Sequence, residues 1–278
     1  MKVALVFVGF QIAAYSQTVP VPDEGPARSV LHILSVAPAQ RDDFVDCLKE
    51  DEVPFWRKLK EQRMLSTVSV FETTAVSSTD PGVPAWNFVI SSQVPSGASA
   101  DSLAEALIKR RSCDYMLGVE VRRTETLRTT PNSNYGRVTA EDDAKARELK
   151  VEFGIEYIAV KDTPETLKRY QENMSVNIGP SIGLLIRDDL MFSFVANETV
   201  KVHYSQSGMP SWNQIHVNGK SLAASSATRE ESAAQREAAL RAVNPNNGGS
   251  EGVYGPLPSC RTRPRVDRAR QLFELAVR

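Results

Sequence analysis

The feature that most constrains this 278-residue chain is an internal repeat. Residues 38–90 align with residues 164–216 without a gap when the chain is shifted by 126 positions, and the match is densest where GVPAWN (82–87) recurs as GMPSWN (208–213). A period this long exceeds that of solenoid repeats, so it indicates duplication of a whole small domain.

Both copies show the same order of predicted elements. Each begins with a short apolar strand, at 31–36 and 155–160, and continues into a helix that opens on a proline, Pro38 or Pro164. A second proline, Pro54 or Pro180, is expected to end or kink that helix.

The later elements of the two copies also correspond. We expect second strands at about 66–77 and 191–204, and third strands that begin on the Trp-Asn pairs. A second helix is predicted at about 101–111 in the first copy, and in the second copy Thr228 and Glu231 form a capping box that opens a helix ending near Val243. Each copy closes with a strand, within 115–127 and within 265–277.

The element order β-α-β-β-α-β, twice, is that of two tandem ferredoxin-like units in an α+β fold. Each unit forms a four-stranded antiparallel sheet with both helices on one face. The strands are apolar on both alternations, as in LHILSV (31–36), so the other face of each sheet also needs cover. The two sheets are therefore predicted to pack face to face.

This arrangement resembles the dimeric α/β-barrel superfamily, in a form where one chain supplies both halves. The resemblance spans residues 28–278 and depends on element order and duplication. The superfamily includes cofactor-free monooxygenases, small isomerases and haem-binding proteins similar to chlorite dismutase, and many members hold a ligand between the two sheets. No motif of this chain matches a family's catalytic residues closely enough to transfer them.

The N-terminal residues have the shape of an export signal. Lys2 precedes an apolar run at 3–14, and Ala14-Tyr15-Ser16 offers small residues before a cleavage point. We predict a signal peptide at 1–16, an extended linker at 17–27, repeats at 28–136 and 137–278, and a secreted or periplasmic protein. No later apolar run reaches membrane-spanning length, so stable membrane insertion after signal cleavage is not expected.

The charge balance argues against a nucleic-acid partner. Lys+Arg 33 against Asp+Glu 34 gives a net charge of −1, which provides no field to gather polyanions. Five arginines fall between Arg261 and Arg270. Because several of them alternate with other residues, we interpret them as one solvated edge of a strand.

The three cysteines, Cys47, Cys113 and Cys260, allow one disulfide and one free thiol in an exported chain. The sequence leaves open which two would pair. None lies in a recognisable nucleophile motif, so catalytic cysteine chemistry is not predicted.

The three histidines, His32, His203 and His216, are candidates for a ligand or general-base role. They have no spacing typical of a metal site, and no metal site is predicted. No cofactor is predicted either, although haem would need an axial ligand that His203 or His216 could supply. If the hairpin pairs Tyr204 with Trp212, Val202 and His216 share one face and His203 points the other way.

The repeat also marks candidate site residues. Glu72 and Glu198 recur and could divide acid and base roles, although a Glu-Thr pair in a strand is more often a solvent-facing contact. Ligand-pocket or structural roles are assigned to the residues around the repeated turn, where Trp would anchor the next strand and Asn would bind turn backbone: Trp86, Asn87, Trp212, Asn213 and Tyr204.

Two functional hypotheses remain open. The first is an exported α/β-barrel protein with a structural role, or one that binds a small apolar ligand. The second is a cofactor-free oxygenase or isomerase of the dimeric α/β-barrel type, acting on a small aromatic or polyketide-like molecule. Either protein could be a monomer or a homodimer, because one chain supplies both halves.

Overall fold

The computed structural model describes residues 28–95, 98–110, 112–136, 151–161, 163–220 and 228–275. The predicted signal peptide at 1–16 and linker at 17–27 lie outside these residues. The strands are β1 (Arg28–Val36), β2 (Thr67–Thr79), β3 (Phe88–Val94), β4 (Val119–Gly136), β5 (Glu152–Val160), β6 (Ser193–Ser205), β7 (Gln214–Lys220) and β8 (Arg261–Leu275).

The described helices lie between these strands in both halves. The α-helices are α1 (Arg41–Cys47), α2 (Val53–Glu61), α3 (Ala100–Arg110), α4 (Pro164–Asn173), α5 (Gly179–Arg187), α6 (Arg229–Val243), α7 (Gly249–Tyr254) and α8 (Leu257–Cys260). The predicted capping box of Thr228 and Glu231 opens α6. No described helix is long and apolar enough to cross a membrane.

The eight strands form one closed antiparallel barrel in the order β1-β3-β2-β8-β5-β7-β6-β4. Within this ring, β4-β1-β3-β2 and β8-β5-β7-β6 are two four-stranded ferredoxin-like sheets with the same internal order. They join where β2 pairs with β8 and where β4 pairs with β6. The predicted α+β fold, two tandem ferredoxin-like sheets in a pseudo-dimeric α/β barrel, is confirmed.

The first helix of each half bends at the predicted prolines. One π-helical turn, Leu48–Glu52 or Met174–Ile178, separates α1 from α2 and α4 from α5. Pro54 and Pro180 lie in the first turn of the following helix, where a missing N–H costs least. The prolines therefore kink a helix that continues, rather than ending it.

Strand alternation separates the core into three parts. In β1, Leu34 packs under the helices of the first half, whereas Leu31 and Ile33 point into the barrel. A third cluster, which includes Ile158, lies under the helices of the second half. The barrel interior is thus a separate core enclosed by both sheets.

Two sequence-based expectations about strands are wrong. Tyr204 pairs with Thr124 of β4 rather than with Trp212, because β6 leaves β7 after Glu198 and continues along β4. The third strands begin at Phe88 and Gln214, one residue after the Trp-Asn pairs, because each Asn binds the end of the neighbouring strand instead.

Candidate functional site

The barrel interior contains a buried cluster of one tryptophan, one arginine and one carboxylate. The Nε1 of Trp212 donates to Oε1 of Glu125 at 2.8 Å. The guanidinium of Arg123 lies 4.1 Å from the centre of the Trp212 ring and donates to Oε2 of Glu125 at 2.8 Å. Such a stacked, paired guanidinium is a favourable way to hold a buried charge.

A matching cluster is formed with the two halves exchanged, by a tryptophan of the first half and a charged pair of the second. The Nε1 of Trp86 donates to Oδ2 of Asp267 at 3.1 Å, and Arg265 lies 3.9 Å from the centre of the Trp86 ring. Arg265 Nε donates to Oδ1 of Asp267 at 2.7 Å. Arg265, which the sequence placed on a solvated strand edge, is therefore buried at 3% exposure, and that prediction is wrong for this residue.

In each cluster the charged pair comes from the last strand of one half, and the tryptophan comes from the repeated turn of the other half. Arg123 and Glu125, like Arg265 and Asp267, are two residues apart, so both side chains of a pair point to the same side of the strand. That side faces the barrel interior and the tryptophan of the repeated turn. The two clusters are thus related by the internal duplication.

Tyr157 lies between the two clusters. Its ring centre is 5.0 Å from that of Trp86 and 5.0 Å from that of Trp212, and its hydroxyl accepts from Nε1 of Trp86 at 3.1 Å. Burial raises the pKa of Tyr157 well above its ordinary value, and the charge of Asp267 adds to this shift. These side chains fill the middle of the barrel.

Burial also governs the two carboxylates. It raises the pKa of Glu125, although Arg123 and the Trp212 hydrogen bond act in the opposite direction. The pKa of Asp267 is raised for the same reason, against the effect of Arg265. Each carboxylate thus depends on its arginine and its tryptophan.

The repeated asparagines close each half in the same way. Asn87 accepts from the backbone N–H of Val36 at 2.8 Å and donates to its carbonyl at 2.9 Å. Asn213 makes the same two bonds, of 2.8 and 2.9 Å, with Val160. The asparagines therefore bind the end of the first strand of their half rather than the turn itself, and their role is structural.

A polar cleft opens on the second half, on the helix-facing side of the barrel wall. Its volume is about 240 Å³. Glu152, Gly154 and Glu156 line it from β5, on the same alternation as Ile158 of the helix-packed core. The remaining lining comes from β2, β5, β7 and β8: Ser77, Phe153, Asn218, Lys220, Val266, Asp267 and Arg268.

Lys220 is the least expected member of this cleft. It is the last residue of β7 and lies opposite Glu152 of β5. Burial lowers the pKa of Lys220, and the charge of Arg236 lowers it further, whereas Glu156 and Glu152 raise it. A half-buried lysine in a polar cleft is a recurring feature of functional sites.

The structure keeps the three histidines apart. His32 binds Thr124 at 2.7 Å and Asp114 at 2.9 Å, His203 binds Thr126 at 2.8 Å, and His216 lies under the helices, 3.1 Å from the Tyr170 hydroxyl. Burial lowers the pKa of His216 to about 3, so this ring is neutral at physiological pH.

These surroundings do not fit an axial haem ligand. The ring nitrogens of His32 are both engaged, and the Nε2 atoms of His203 and His216 already bind hydroxyls. The polar cleft contains no histidine. Within the described residues, the chain thus presents no histidine that faces the cleft and could hold haem iron.

Glu72 and Glu198 each bind an arginine of the other half, where the two sheets join. Glu72 binds Arg41 at 2.7 Å and Arg270 at 2.8 Å, and its hydrogen bond with Arg41 makes the largest contribution to lowering its pKa. Glu198 accepts from Arg128 at 2.7 Å. The repeated carboxylates thus occur in ion pairs, and neither lines the cleft.

Two of the three cysteines are paired. Cys47, at the end of α1, and Cys113 form a disulfide with a Cα–Cα distance of 5.9 Å, and Cys260 is free. The neighbouring Asp51 gives this group the spacing of a metal site, but both sulfurs are already bonded to each other. The one disulfide and one free thiol that the sequence allowed are both present.

None of the cleft residues was predicted from the sequence as a site residue. The available signal was a difference between the two halves. Val94 of the first half is equivalent to Lys220, and His32 is equivalent to Glu156. These differences stand out only after the two halves are superimposed strand by strand. Tyr157 is likewise equivalent to Ile33 of the first half, and this difference is also visible only in the superposition.

Comparison with known proteins finds similarity in structure only. No family model matches the chain, and no curated protein matches it. An anthrone oxidase-like protein is 11% identical with a TM-score of 0.49, covering 92% of this chain and 98% of its own. A protein described as a monooxygenase from Lactobacillus acidophilus is 8% identical, TM-score 0.48, covering 90% and 96%.

A variant of DypB from Rhodococcus jostii in complex with heme is 9% identical with a TM-score of 0.46, covering 88% of this chain and 93% of its own. At these identities and TM-scores, the similarities say nothing about the reaction or the ligand of this chain.

Proposed function

We propose that this protein is a small-molecule enzyme of the cofactor-free, isomerase-like kind, which transfers a proton on a small polar carbonyl compound bound in the cleft. The observation that carries the proposal is the half-buried Lys220 in one cleft with Glu152 and Glu156. General acid–base chemistry needs such a pair of proton acceptor and proton donor within one site.

The polar lining favours a polar ligand over the apolar one expected from the sequence. Apart from Phe153, Gly154 and Val266, every side chain of the cleft is polar or charged. Arg268 offers a cation to an anionic group, and Asn218 offers an amide. A small 2-oxo acid combines a carbonyl group with such an anionic group.

The roles follow from this chemistry. Glu156 is the proposed base, which removes a proton from the carbon next to the carbonyl. Lys220 is the proposed cation, which stabilises the negative charge that then develops on the carbonyl oxygen. Arg268 would orient the carboxylate of the substrate.

Exchange of carbon-bound protons with solvent tests this function. Pyruvate is incubated with the protein in D₂O, and the methyl signal is followed by proton NMR. We expect protein-dependent loss of the signal, reduced about 100-fold in Glu156→Gln. The exposed Glu61→Gln serves as the control and should exchange like the wild type. Equal rates with and without protein would reject the function for this substrate class.

A second candidate is a purely structural role. The observation in its favour is the filled barrel, where Trp86, Tyr157 and Trp212 occupy the space that would otherwise receive a ligand. Under this hypothesis, pyruvate would shift no amide signal of the cleft residues in a heteronuclear NMR titration. Selective shifts at Gly154 and Asn218 would favour the enzyme.

We also propose that the protein is exported. The supporting observation is the disulfide of Cys47 and Cys113, since disulfides persist chiefly in oxidising compartments. Fractionation of the native host, with mass spectrometry of the protein from each fraction, tests this. An oxidised protein outside the cytoplasm is expected, and a fully reduced cytoplasmic protein would contradict the proposal.

A further inference from the structure

Lys220 lines the cleft, but the scaffold that both halves share does not require a lysine at this position. The pairing of β5 with β7 places it opposite Glu152, and the same pairing in the first half places Val94 opposite Arg28. Val94 is buried at 8% exposure and packs with the helix-facing core. Because an apolar residue suits this position in the first half, the fold itself does not require an amine there.

The charged groups around Lys220 come from three elements. Glu152 and Glu156 face it from β5, Arg236 acts from α6, and Arg268 lines the cleft from β8, whereas the carboxylate of the neighbouring Asp267 points into the barrel. Burial and Arg236 favour the neutral amine, whereas the carboxylates favour the ammonium, and the pKa of Lys220 is lowered overall. A larger fraction of this side chain is therefore neutral, and nucleophilic, than of an exposed lysine.

Gly154 of β5 makes room for an amide next to the lysine. A Cβ at Gly154 would lie 2.8 Å from Oδ1 of Asn218, so a larger residue would displace this amide from β5. The amide thus has a defined place in the cleft, where it can bind a carbonyl or carboxylate oxygen. The volume of about 240 Å³ restricts the occupant to a small molecule.

We propose that Nζ of Lys220 forms a reversible imine with the carbonyl carbon of a small 2-oxo acid or aldehyde bound in this cleft. This inference rests on the proposed function, because it uses the same site and substrate class, and it changes the role of Lys220 from an electrostatic partner to a covalent one.

The reaction is balanced without a further reagent. The Nζ lone pair attacks the carbonyl carbon, a C–N bond forms, and the electron pair of the carbonyl π bond moves to oxygen, which takes up a proton as nitrogen loses one. The resulting carbinolamine then loses its hydroxyl as water. Glu156 in its protonated form supplies the proton for that departure, and the nitrogen lone pair forms the C=N bond. Hydrolysis reverses each step and returns the free amine.

Reductive trapping tests the imine directly. The protein is incubated with pyruvate and sodium cyanoborohydride, and intact mass and peptide maps are recorded over time. We expect one adduct, on the peptide that contains Lys220, at a rate at least about 10-fold above that of any exposed lysine. Lys220→Met should abolish this adduct, whereas Lys58→Met, a change at an exposed helical lysine, should leave it unchanged.

Two further variants guard against misfolding. Lys220→Arg keeps the positive charge but cannot form the imine, and Lys220→Val introduces the residue found at the equivalent position of the first half. Circular dichroism and thermal melting identify the variants that remain folded. Adducts spread evenly over many lysines, or an undiminished adduct in a folded Lys220 variant, would overturn the inference.

The trapping and proton-exchange experiments together distinguish imine formation at Lys220 from the proposed proton transfer. A specific adduct at Lys220 without proton exchange would support the imine and reject the proposed activity. Proton exchange at the wild-type rate in Lys220→Arg, together with no specific adduct at Lys220 in the wild type, would support the activity and reject the imine. Exchange and adduct lost together in Lys220→Met, with both retained in Lys58→Met, would support both.

Discussion

Trp212 and Glu125, 87 residues apart in the chain, are joined by a 2.8 Å hydrogen bond inside the barrel. Trp86 and Asp267 make the equivalent contact at 3.1 Å, with the two halves exchanged. Each bond links the repeated turn of one half to the last strand of the other half. The Trp-Asn motif therefore organises the packing of the barrel interior.

Two substitutions of Trp212 should separate the stability contribution of its packing from that of its hydrogen bond. Trp212→Ala is expected to lower the free energy of unfolding by about 3–5 kcal/mol, because it leaves a cavity and removes the ring beneath Arg123. Trp212→Phe keeps most of the packing and loses the indole N–H, so a loss of about 1–3 kcal/mol is expected. Urea unfolding measures both. No loss in Trp212→Phe would show that the hydrogen bond contributes nothing, and equal losses in the two variants would show that the packing contributes nothing.

Removal of one buried charge should cost more than removal of both. Glu125→Gln leaves the Arg123 guanidinium without its counter-charge and should cost about 3–5 kcal/mol of stability. The double variant Arg123→Met/Glu125→Gln removes both charges and keeps an acceptor for Trp212. It should be more stable than Glu125→Gln alone in urea unfolding. A double variant that is less stable would contradict this account of the cluster.

The two asparagines should contribute similar stability. Asn87→Ala and Asn213→Ala each leave a backbone N–H and a carbonyl at a strand end without a partner, so each should cost about 2 kcal/mol. The exposed Asn246→Ala should change stability by less than about 0.5 kcal/mol and serves as the control. Chemical denaturation of all three variants checks this, and a near-zero effect in either half would exclude the proposed structural role there.

His216 should make the fold sensitive to acid. Its folded pKa, about 3, lies below its unfolded value, so below neutrality the unfolded chain binds a proton that the folded protein does not. Stability should therefore fall as the pH decreases through this window. Relative to His216→Gln, which cannot titrate, the wild type should lose about 3 kcal/mol between about pH 7 and about pH 4. Parallel stability profiles of the two proteins would contradict this.

The disulfide should stabilise the first half. Cys47→Ser/Cys113→Ser is expected to lower the free energy of unfolding by about 2–4 kcal/mol, because it removes a cross-link that closes a long loop. Alkylation of the denatured, unreduced protein should modify Cys260 alone, as read by mass spectrometry. Modification of all three cysteines under these conditions would show that the bond does not form in solution.

Much of the architecture could be predicted because the repeat preserves it. The shared spacing from Pro38 to the Trp-Asn pair fixes the order of the first helix, the hairpin and the third strand in both halves. Apolar residues on both alternations of β1 indicated a second sheet, and the barrel supplies it. Local patterns and duplication are therefore sufficient to predict the order of the elements and the packing of two sheets.

The charged clusters could not be predicted, because the last strand departs from the repeat spacing. Arg265 and Asp267 lie 142 residues after Arg123 and Glu125, whereas the Trp-Asn pairs lie 126 residues apart. The extra residues precede β8 and contribute to α7 and α8. A charged pair on a strand also looks the same in the sequence whether it faces water or a barrel interior, so only closure of the barrel reveals its place.

The closed barrel joins two halves that are alike in scaffold and unlike in their outer walls. Lys220 and Glu156 line the cleft of the second half, where the first half has Val94 and His32. A barrel built from two identical chains would carry each wall twice. A single fused chain can change one wall and keep the other, so the expected stoichiometry is one ligand per chain, and the two halves are free to specialise independently.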